Sequence, residues 1–478
     1  MTMTVATTQK EKVKHFRSDK IMFGKIRKLY FVGIGGAGMS GIAEILYNLG
    51  YHIEGSDSSP SEITDYLVSL GIKIHDDHRA ENLEDMDVVV ISSAVSRDNP
   101  EVTEAVRRGI PVIKRAEMLG ELMRLKFSIG VSGTHGKTTT TSMIGKILQA
   151  GKYHPTLIIG GVVAELGTGA SLGKGDYLVA EADEYDRSFL AMFPTVAVVT
   201  NLEPDHMDCY TDMDDLVNSF LEYMNRVPFY GTVIMSADDQ RLVLLRSRVT
   251  RPYVTFGFSE EADYRAVDLI LDPHRSVFKV YHHQNLLGEI ILHVPGKHNI
   301  ANAMAAIAAC RELEVPFITI ADGLLAFKGV TRRFEIVGEV NGILVIDDYA
   351  HHPSEITATL SAAREVYDRR VIVVFQPHLF SRTRDFAREF ADALSLADRC
   401  LLVDIYQARE KPIEGVTSEL ILRNAAGKGM GNFAYVGPKE KAVEKVVDIS
   451  RPGDMVILMG AGSITRIKNQ ILEALALK

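Results

Sequence analysis

Residues 130–143 read GVSGTHGKTTTTSM. This run of small residues follows the apolar stretch FSIGVS (127–132) and leads into a segment that patterns as a helix to about Ala150. In that order of strand, loop and helix, the backbone N–H groups of Gly133, Thr134, His135 and Gly136 can close around an anion. The positive end of the helix then stands behind them. Lys137 is placed to reach outer phosphates, and Thr138, with Thr139 in the same turn, to meet a divalent cation. The stretch departs from G-x-x-x-x-G-K-[ST], because Val131 stands where the first glycine belongs. A threonine-rich helix cap is the plain alternative, but it leaves unexplained a lysine between Gly136 and Thr138. The reading is an ATP-type phosphate loop.

Phosphate loops of this kind use a carboxylate from a neighbouring strand to complete magnesium binding. AEADEYDRSF (180–189) offers Glu181 at a strand end, with Asp183, Glu184 and Asp186 behind it. NLEPDHMDCY (201–210) offers His206 between Asp205 and Asp208, again just past an apolar run. A surface turn is the bland reading of His206; its place at a strand end of the same sheet favours a metal ligand. The expected metal set is Thr138, Glu181 and His206.

Nearer the front, KLYFVGIGGAGMSG (28–41) carries G-x-G-x-x-G through Gly33, Gly35 and Gly38. Between a strand and a helix these glycines let the backbone approach a pyrophosphate, with Glu54 or Asp57 near the position of a ribose-binding acid. Close helix–strand packing is the competing use of the same glycines. Alone, the pattern fits an NAD-dependent dehydrogenase, but such an enzyme has no need of a second phosphate loop.

Around these loops the chain patterns as three α/β blocks. Residues 27–126 alternate short apolar strands and amphipathic helices, as in a Rossmann-like domain. Residues 127–330 form a mostly parallel P-loop-type sheet, to which VTFGF, YRAVDLIL, SVFKVYHH and GEIILHV add a small antiparallel sheet. An alanine-rich helix at 299–313 completes the block. Residues 331–478 form a second Rossmann-like unit, with helices expected near 353–367, 383–397, 417–427, 438–449 and 463–476. Residues 1–26 are polar and read as a flexible tail.

The composition suits a soluble protein with full-sized cores: 46% hydrophobic and 24% charged residues over 478 positions. A formal net charge of −9 argues against nucleic-acid or anionic-membrane partners. Cys209, Cys310 and Cys400 are widely spaced and read as free thiols. No apolar run is long enough to span a bilayer and the N-terminus has no secretion-signal pattern, so a cytoplasmic location is expected.

Taken together, GTHGKTTTT, the EADE segment, EPDHMD, GKHNIANAMAA, TRRFE, DDYAHHPSE and FQPHLFSRTRD resemble, in order and spacing, the Mur ligases. GIGGAGMSGIAE and SSAVSRDNPE extend the resemblance towards the N-terminus, so that it covers about 27–465. It implies that the first loop holds a UDP-sugar and the second ATP. The expected UDP-sugar contacts are Gly33, Gly35, Gly36, Ala37, Gly38, Ser56, Asp57, Ser92, Ser93 and Arg115. The ATP site would comprise Gly133, Thr134, His135, Gly136, Lys137, Thr138, Thr139, Asn299, Asn302, Arg333 and Asp348. Helix capping is the plain alternative for the two asparagines. Tyr349, His351, His378 and Arg382 would lie at the muramoyl and amino-acid end, unless their role is structural. Catalysis would fall to Lys137, Glu181, His206, Arg333 and Asp348.

The implied chemistry is ATP-dependent amide formation between UDP-N-acetylmuramate and L-alanine through an acyl phosphate, with magnesium or manganese, in peptidoglycan precursor synthesis. The implied assembly is a monomer or weak homodimer. YQAREKPIEGVTS (406–418) resembles the alanine-adding branch more than the branch that joins a preformed tripeptide to the same sugar. A nucleotide switch without ligase activity would leave DDYAHHPSE and FQPHLFSRTRD without a purpose. One departure stands out. Relatives that carry a carbamylated lysine after DHMD use it as a metal bridge, and here no lysine occurs between Lys174 and Lys279.

Overall fold

The computed structural model describes residues 23–92, 95–159, 170–205, 207, 209–273, 275–408 and 410–478. Ser93 and His206, and residues 1–22 of the expected tail, lie outside them. The described chain packs as two compact units. One is built from residues up to Gly35, Ala43–Ile91 and Val95–Ile113; the other from Gly36–Ile42, Ser92 and Lys114–Lys478.

The first unit holds a five-stranded sheet in the spatial order Lys73–His75, His52–Ser56, Lys28–Val32, Val88–Ile91, Val112–Lys114. Leu29 through Val32 are fully buried, as expected of a strand covered on both faces. Helix Pro100–Arg108 has clear end signals. The Asn99 side chain accepts from the N–H groups of Glu101 and Val102, Pro100 sits in the first turn, and Gly109 closes the helix at φ 72°.

The second unit contains two sheets. The larger has ten strands, ordered Asn285–Leu292, Arg275–His282, Tyr264–Asp272, Tyr253–Gly257, Thr232–Ser236, Val196–Val199, Phe127–Ser132, Tyr177–Glu181, Thr156–Ile158, Ala170–Ser171. A three-stranded antiparallel meander from Tyr264 to Leu292 continues this sheet, and Thr156–Ile158 pairs antiparallel with Ala170–Ser171 at the other edge. VTFGF differs from expectation: Tyr253–Gly257 runs parallel to Thr232–Ser236. Its β-rich composition carries no information about strand direction, which the connecting helix Gln240–Leu245 sets instead.

The third sheet has six strands, ordered Glu335–Val340, Ile343–Asp348, Asp454–Met459, Arg370–Phe375, Arg399–Val403, Phe433–Gly437. Its edge strand Glu335–Val340 pairs antiparallel with Ile343–Asp348 and was not anticipated. The helix expected at 383–397 is broken into Phe380–Asp385 and Ala387–Leu394 around Phe386.

The alanine-rich segment forms helix Lys297–Glu312, packed against helix Lys137–Ala150 and the strands beneath. Ala303, Ala305, Ala306, Ala308 and Ala309 are all fully buried, so this helix is enclosed on every side rather than amphipathic. Methyl groups are what allow neighbours to approach so closely. Ala306→Leu should therefore destabilise the protein by about 1–3 kcal/mol through overpacking. Urea denaturation measures this, and a midpoint equal to that of the parent would contradict the packing described.

Candidate functional site

Strand Phe127–Ser132 delivers the chain into residues 133–136, and helix Lys137–Ala150 leaves from them. Gly133 (φ 132°) and Gly136 (φ 83°) hold backbone conformations that side chains rarely adopt. Space forbids a side chain as well. A Cβ on Gly133 would lie 2.0 Å from Thr200 Oγ1, and one on Gly136 would lie 2.2 Å from Asn302 Oδ1. The His135 N–H donates to Asn201 Oδ1 (2.8 Å), and Thr200 Oγ1 donates to the His135 carbonyl (2.6 Å). The loop is thus clamped by the end of strand Val196–Val199 on one side and by helix Lys297–Glu312 on the other.

Lys137 folds back over its own loop. Its ammonium donates to the Gly133 carbonyl (2.6 Å) and to both Glu184 oxygens (2.9 Å each). Burial works against its charge, yet Glu184, Asp183 and Glu181 together hold its pKa above the ordinary lysine value. Burial, with Asp183 nearby, lifts Glu184 to about 7 despite the ammonium beside it. The Tyr210 hydroxyl donates to the Glu184 carbonyl (2.5 Å) and fixes the backbone there.

A cavity of about 230 Å³ opens beside the loop. Its floor comes from His135, Gly136, Thr138 and Thr139, one wall from His298, Asn299 and Asn302, and the facing wall from Arg333, Asp348, Ser354 and Glu355. The volume is below the about 300–1,000 Å³ common for ligand sites. Of the expected nucleotide residues, His135, Gly136, Thr138, Thr139, Asn299, Asn302, Arg333 and Asp348 line it; Gly133, Thr134 and Lys137 do not. The asparagines are not caps. Gly296 holds the cap position, and Asn299 Nδ2 donates to the Pro295 carbonyl (2.7 Å). Burial lowers the pKa of His298 to about 4, with Arg333 adding to the shift, so it is a neutral ring beside buried Phe256.

Asp348 accepts from the N–H groups of Phe334 (2.7 Å) and Ala350 (2.8 Å) and from Thr359 Oγ1 (3.2 Å). Burial raises it to about 6 although Arg333 opposes the shift. The Arg333 guanidinium lies 4.9 Å from the centre of the Tyr349 ring and donates to Glu355 Oε1 (3.3 Å). Tyr349, His351 and His378 form a chain of rings, with centroids 5.1 Å and 5.7 Å apart. They stand outside the cavity lining. Arg382 is buried and donates to Asp205 Oδ1 (2.7 Å), an ion pair that holds helix Phe380–Asp385 to the segment after strand Val196–Val199.

Sequence reading passed over Glu203, His298, Ser354 and Glu355, all of which line the cavity. Glu355 had a usable signal: an acid in the first helical turn, two residues past Pro353, where it caps the helix. His135 was expected to act through its N–H, yet its side chain is as engaged. Its imidazole lies 3.3 Å from Glu203 Oε2, 3.5 Å from Glu355 Oε1 and 2.7 Å from Ser354 Oγ. Burial disfavours its charge, but these two carboxylates raise its pKa to about 9. Burial lowers His352 to about 4. Ser354 Oγ bridges the two rings, 2.7 Å from His135 Nε2 and 2.7 Å from His352 Nδ1.

In the first unit, the N–H groups of Gly33 and Ile34 donate to the Ser56 carbonyl (2.8 and 3.0 Å), and the Gly35 N–H donates to Asp57 Oδ2 (2.8 Å). The Ser56 hydroxyl is directed to the fully buried Glu101 (2.7 Å), which also accepts from Tyr30 (2.7 Å) and Asn82 (2.9 Å). In the second unit, a Cβ on Gly38 would lie 3.0 Å from Arg115 Nη1. Gly36 and Ser92 also belong to this unit, and Ala37 opens helix Ala37–Asn48.

This geometry defines a P-loop α/β protein whose phosphate loop faces a wall supplied by a later α/β sheet. Family models match in the same order: "Mur ligase family, catalytic domain" over residues 28–127, "Mur ligase middle domain" over 131–310, and "Mur ligase, glutamate ligase domain" over 332–462. The chain belongs to the Mur ligase family. It is 49% identical, over 95% of its length and 99% of the relative's, to a UDP-N-acetylmuramate–L-alanine ligase of Geotalea uraniireducens. An enzyme of the same name from Geobacter sulfurreducens is 50% identical over 93% of this chain and 96% of its own. Among solved structures, a UDP-N-acetylmuramate–alanine ligase of Thermotoga maritima superposes with a TM-score of 0.79 at 30% identity, covering 93% of this chain and 98% of its own. A murein peptide ligase of Psychrobacter arcticus gives 0.69 at 26% identity, covering 94% and 99%. No helix among the described residues is long and apolar enough to cross a membrane.

The raised His135 pKa has a defined sign. Its contribution to stability is complete below the ordinary value near 6.5 and is lost as pH rises through about 9. Histidine-ring NMR should show one imidazole titrating near 9 in the folded protein. If His135, assigned by its absence in His135→Gln, titrates near 6.5, the paired carboxylates are not where they are described.

Proposed function

We propose that this protein joins L-alanine to UDP-N-acetylmuramate with hydrolysis of ATP to ADP and phosphate, an early step of peptidoglycan precursor synthesis. The observation that carries the reading is the glycine-clamped loop, whose His135, Gly136 and Thr138 face Arg333 and Asp348 across one cavity, in a chain near 50% identical to enzymes of that name. We assign the UDP-sugar to residues 27–126, ATP to 127–330 and the closing wall to 331–478.

A carboxylate is a poor acyl donor. ATP first transfers its γ-phosphoryl group to the lactyl carboxylate, giving an acyl phosphate and ADP. The amine of L-alanine then adds to the acyl carbon, the tetrahedral species expels phosphate, and the new amide nitrogen loses a proton. Two anions must meet in the first step, so fixed positive charge is needed between them. Lys137 supplies it. Its carboxylate neighbours keep it protonated, and it exchanges Glu184 for phosphate oxygens when the nucleotide enters. The N–H groups of residues 133–136 cradle the phosphates. Arg333 approaches from the opposite wall, already oriented by Tyr349 and Glu355. Neutral His298 and Phe256 offer flat surfaces to a purine, and Asn299 and Asn302 offer amide groups beside it.

A magnesium or manganese ion fits the donor set. Thr138 lines the cavity and Glu181 acts on Lys137 from the adjacent strand, and both offer hard oxygens. His206 is the third proposed ligand. When bound, the ion would add positive charge at the transferring phosphoryl group. We assign the UDP end to Gly33, Gly35, Gly36, Ala37, Gly38, Asp57, Ser92, Ser93 and Arg115, with Ser56 holding the loop through its backbone carbonyl. Tyr349, His351 and His378 we place at the muramoyl and amino-acid end, with Arg382 setting their position through Asp205.

Phosphate release should require UDP-N-acetylmuramate and L-alanine together, and activity with a tripeptide but not with L-alanine would redirect the assignment. Lys137→Ala should lower the rate by on the order of 10²–10³. Calorimetry should still show UDP-sugar binding, because Lys137 is not among the residues assigned to the sugar. Loss of both in a folded variant would contradict the two-site reading.

A further inference from the structure

One carboxylate ties together groups that the reaction as proposed needs to have aligned. Glu355 Oε2 accepts from the N–H groups of His351 (3.0 Å) and His352 (3.2 Å), and His351 Nδ1 lies 3.2 Å from the same oxygen. That oxygen caps helix Pro353–Val366. The other oxygen does something different: Oε1 faces Arg333 Nη1 at 3.3 Å and His135 Nδ1 at 3.5 Å. Both of these cations line the cavity, His135 from its floor and Arg333 from the facing wall. A capping box uses one acceptor oxygen from this position. The second oxygen is surplus to capping and is aimed at the cavity.

We infer that Glu355 is a positioning residue for ligation: its Oε1 sets the Arg333 guanidinium and the P-loop imidazole of His135 at the spacing that receives the nucleotide. Burial opposes a charge on Glu355, yet His351 and His135 hold its pKa well below the carboxylate range, so the link is ionic throughout the working range. Around this pair stand Glu203 on the loop side and His352, whose ring also feels Asp205 and Arg382. His135 belongs to the phosphate loop itself, so any movement of the 331–478 wall is felt there directly.

The inference rests on the ligase reading, so the wild-type enzyme is assayed first. If its phosphate release does not depend on UDP-N-acetylmuramate and L-alanine, that reading fails independently of Glu355. Glu355→Gln keeps one carbonyl oxygen for the cap but turns an amide NH₂ toward Arg333 and His135. It should melt within a few degrees of the parent while the KM for ATP rises about tenfold or more, with the KM for UDP-N-acetylmuramate within about twofold. His135→Gln should then cost less in the Glu355→Gln background than in the wild type. Wild-type kcat and ATP KM in Glu355→Gln, or two effects that simply multiply, would overturn the inference. If Glu355→Gln does not fold, Glu355→Asp decides the matter. It keeps the charge but withdraws both oxygens by one methylene, so an unchanged ATP KM in that folded variant would overturn the inference equally.

Discussion

The site depends on a steric constraint: at Gly133 and Gly136 there is no room for even a methyl group. The distances of 2.0 Å and 2.2 Å to Thr200 and Asn302 mean that the loop is pressed between a strand end and a buried helix. Donors held this way cannot relax toward solvent, and a cradle fixed before its anion arrives loses little entropy on binding. The same pressure explains the alanine-rich helix Lys297–Glu312. It has to run close enough behind the loop for Asn302 to cover Gly136, and larger side chains would hold it off. Core composition, loop geometry and one wall of the cavity are therefore a single packing solution.

Charge sets the second constraint. Around Lys137, Glu181, Asp183 and Glu184 outnumber the single ammonium. Such a cluster is hostile to a phosphate chain unless further positive charge comes with it or from across the cavity. This is the physical case for a divalent ion at Thr138 and Glu181, and for Arg333 on the facing wall. With no lysine between Lys174 and Lys279 to be carbamylated, Glu184 is the buried carboxylate in the right neighbourhood.

Much of this was legible in the sequence because the decisive features are local. The glycine spacing of GTHGKTTTT marks its loop, the apolar periodicity up to Ala150 marks its helix, and runs such as GILVIDDY mark doubly covered strands by composition alone. Strand direction at VTFGF was not legible, because pairing is decided by the path of the intervening chain. Nor was the break at Phe386, since the residues on either side are good helix formers. The contacts of Glu355, Ser354 and Glu203 join positions far apart in sequence, 219 residues for Ser354 and His135, and nothing in a helix cap announces what its second oxygen touches. His298 sits within GKHNIANAMAA but carries no signal of its own, because a histidine acquires its neutral state only from the burial around it.

The order of events in the reaction as proposed comes from where the cations are held. In the structure Lys137 is engaged by Glu184 and Arg333 by Glu355, so neither is idle before the nucleotide arrives. An incoming triphosphate therefore has one carboxylate to displace, Glu184 from Lys137, while Arg333 and His135 are already set by Glu355. A diphosphate or free phosphate is shorter, and only a ligand that reaches from the loop to Arg333 gains phosphate contacts at both. The cavity, smaller than common ligand sites, has to open to admit it. Selectivity for the triphosphate and seating of the far wall would then have one physical origin, the reach from the loop to Arg333.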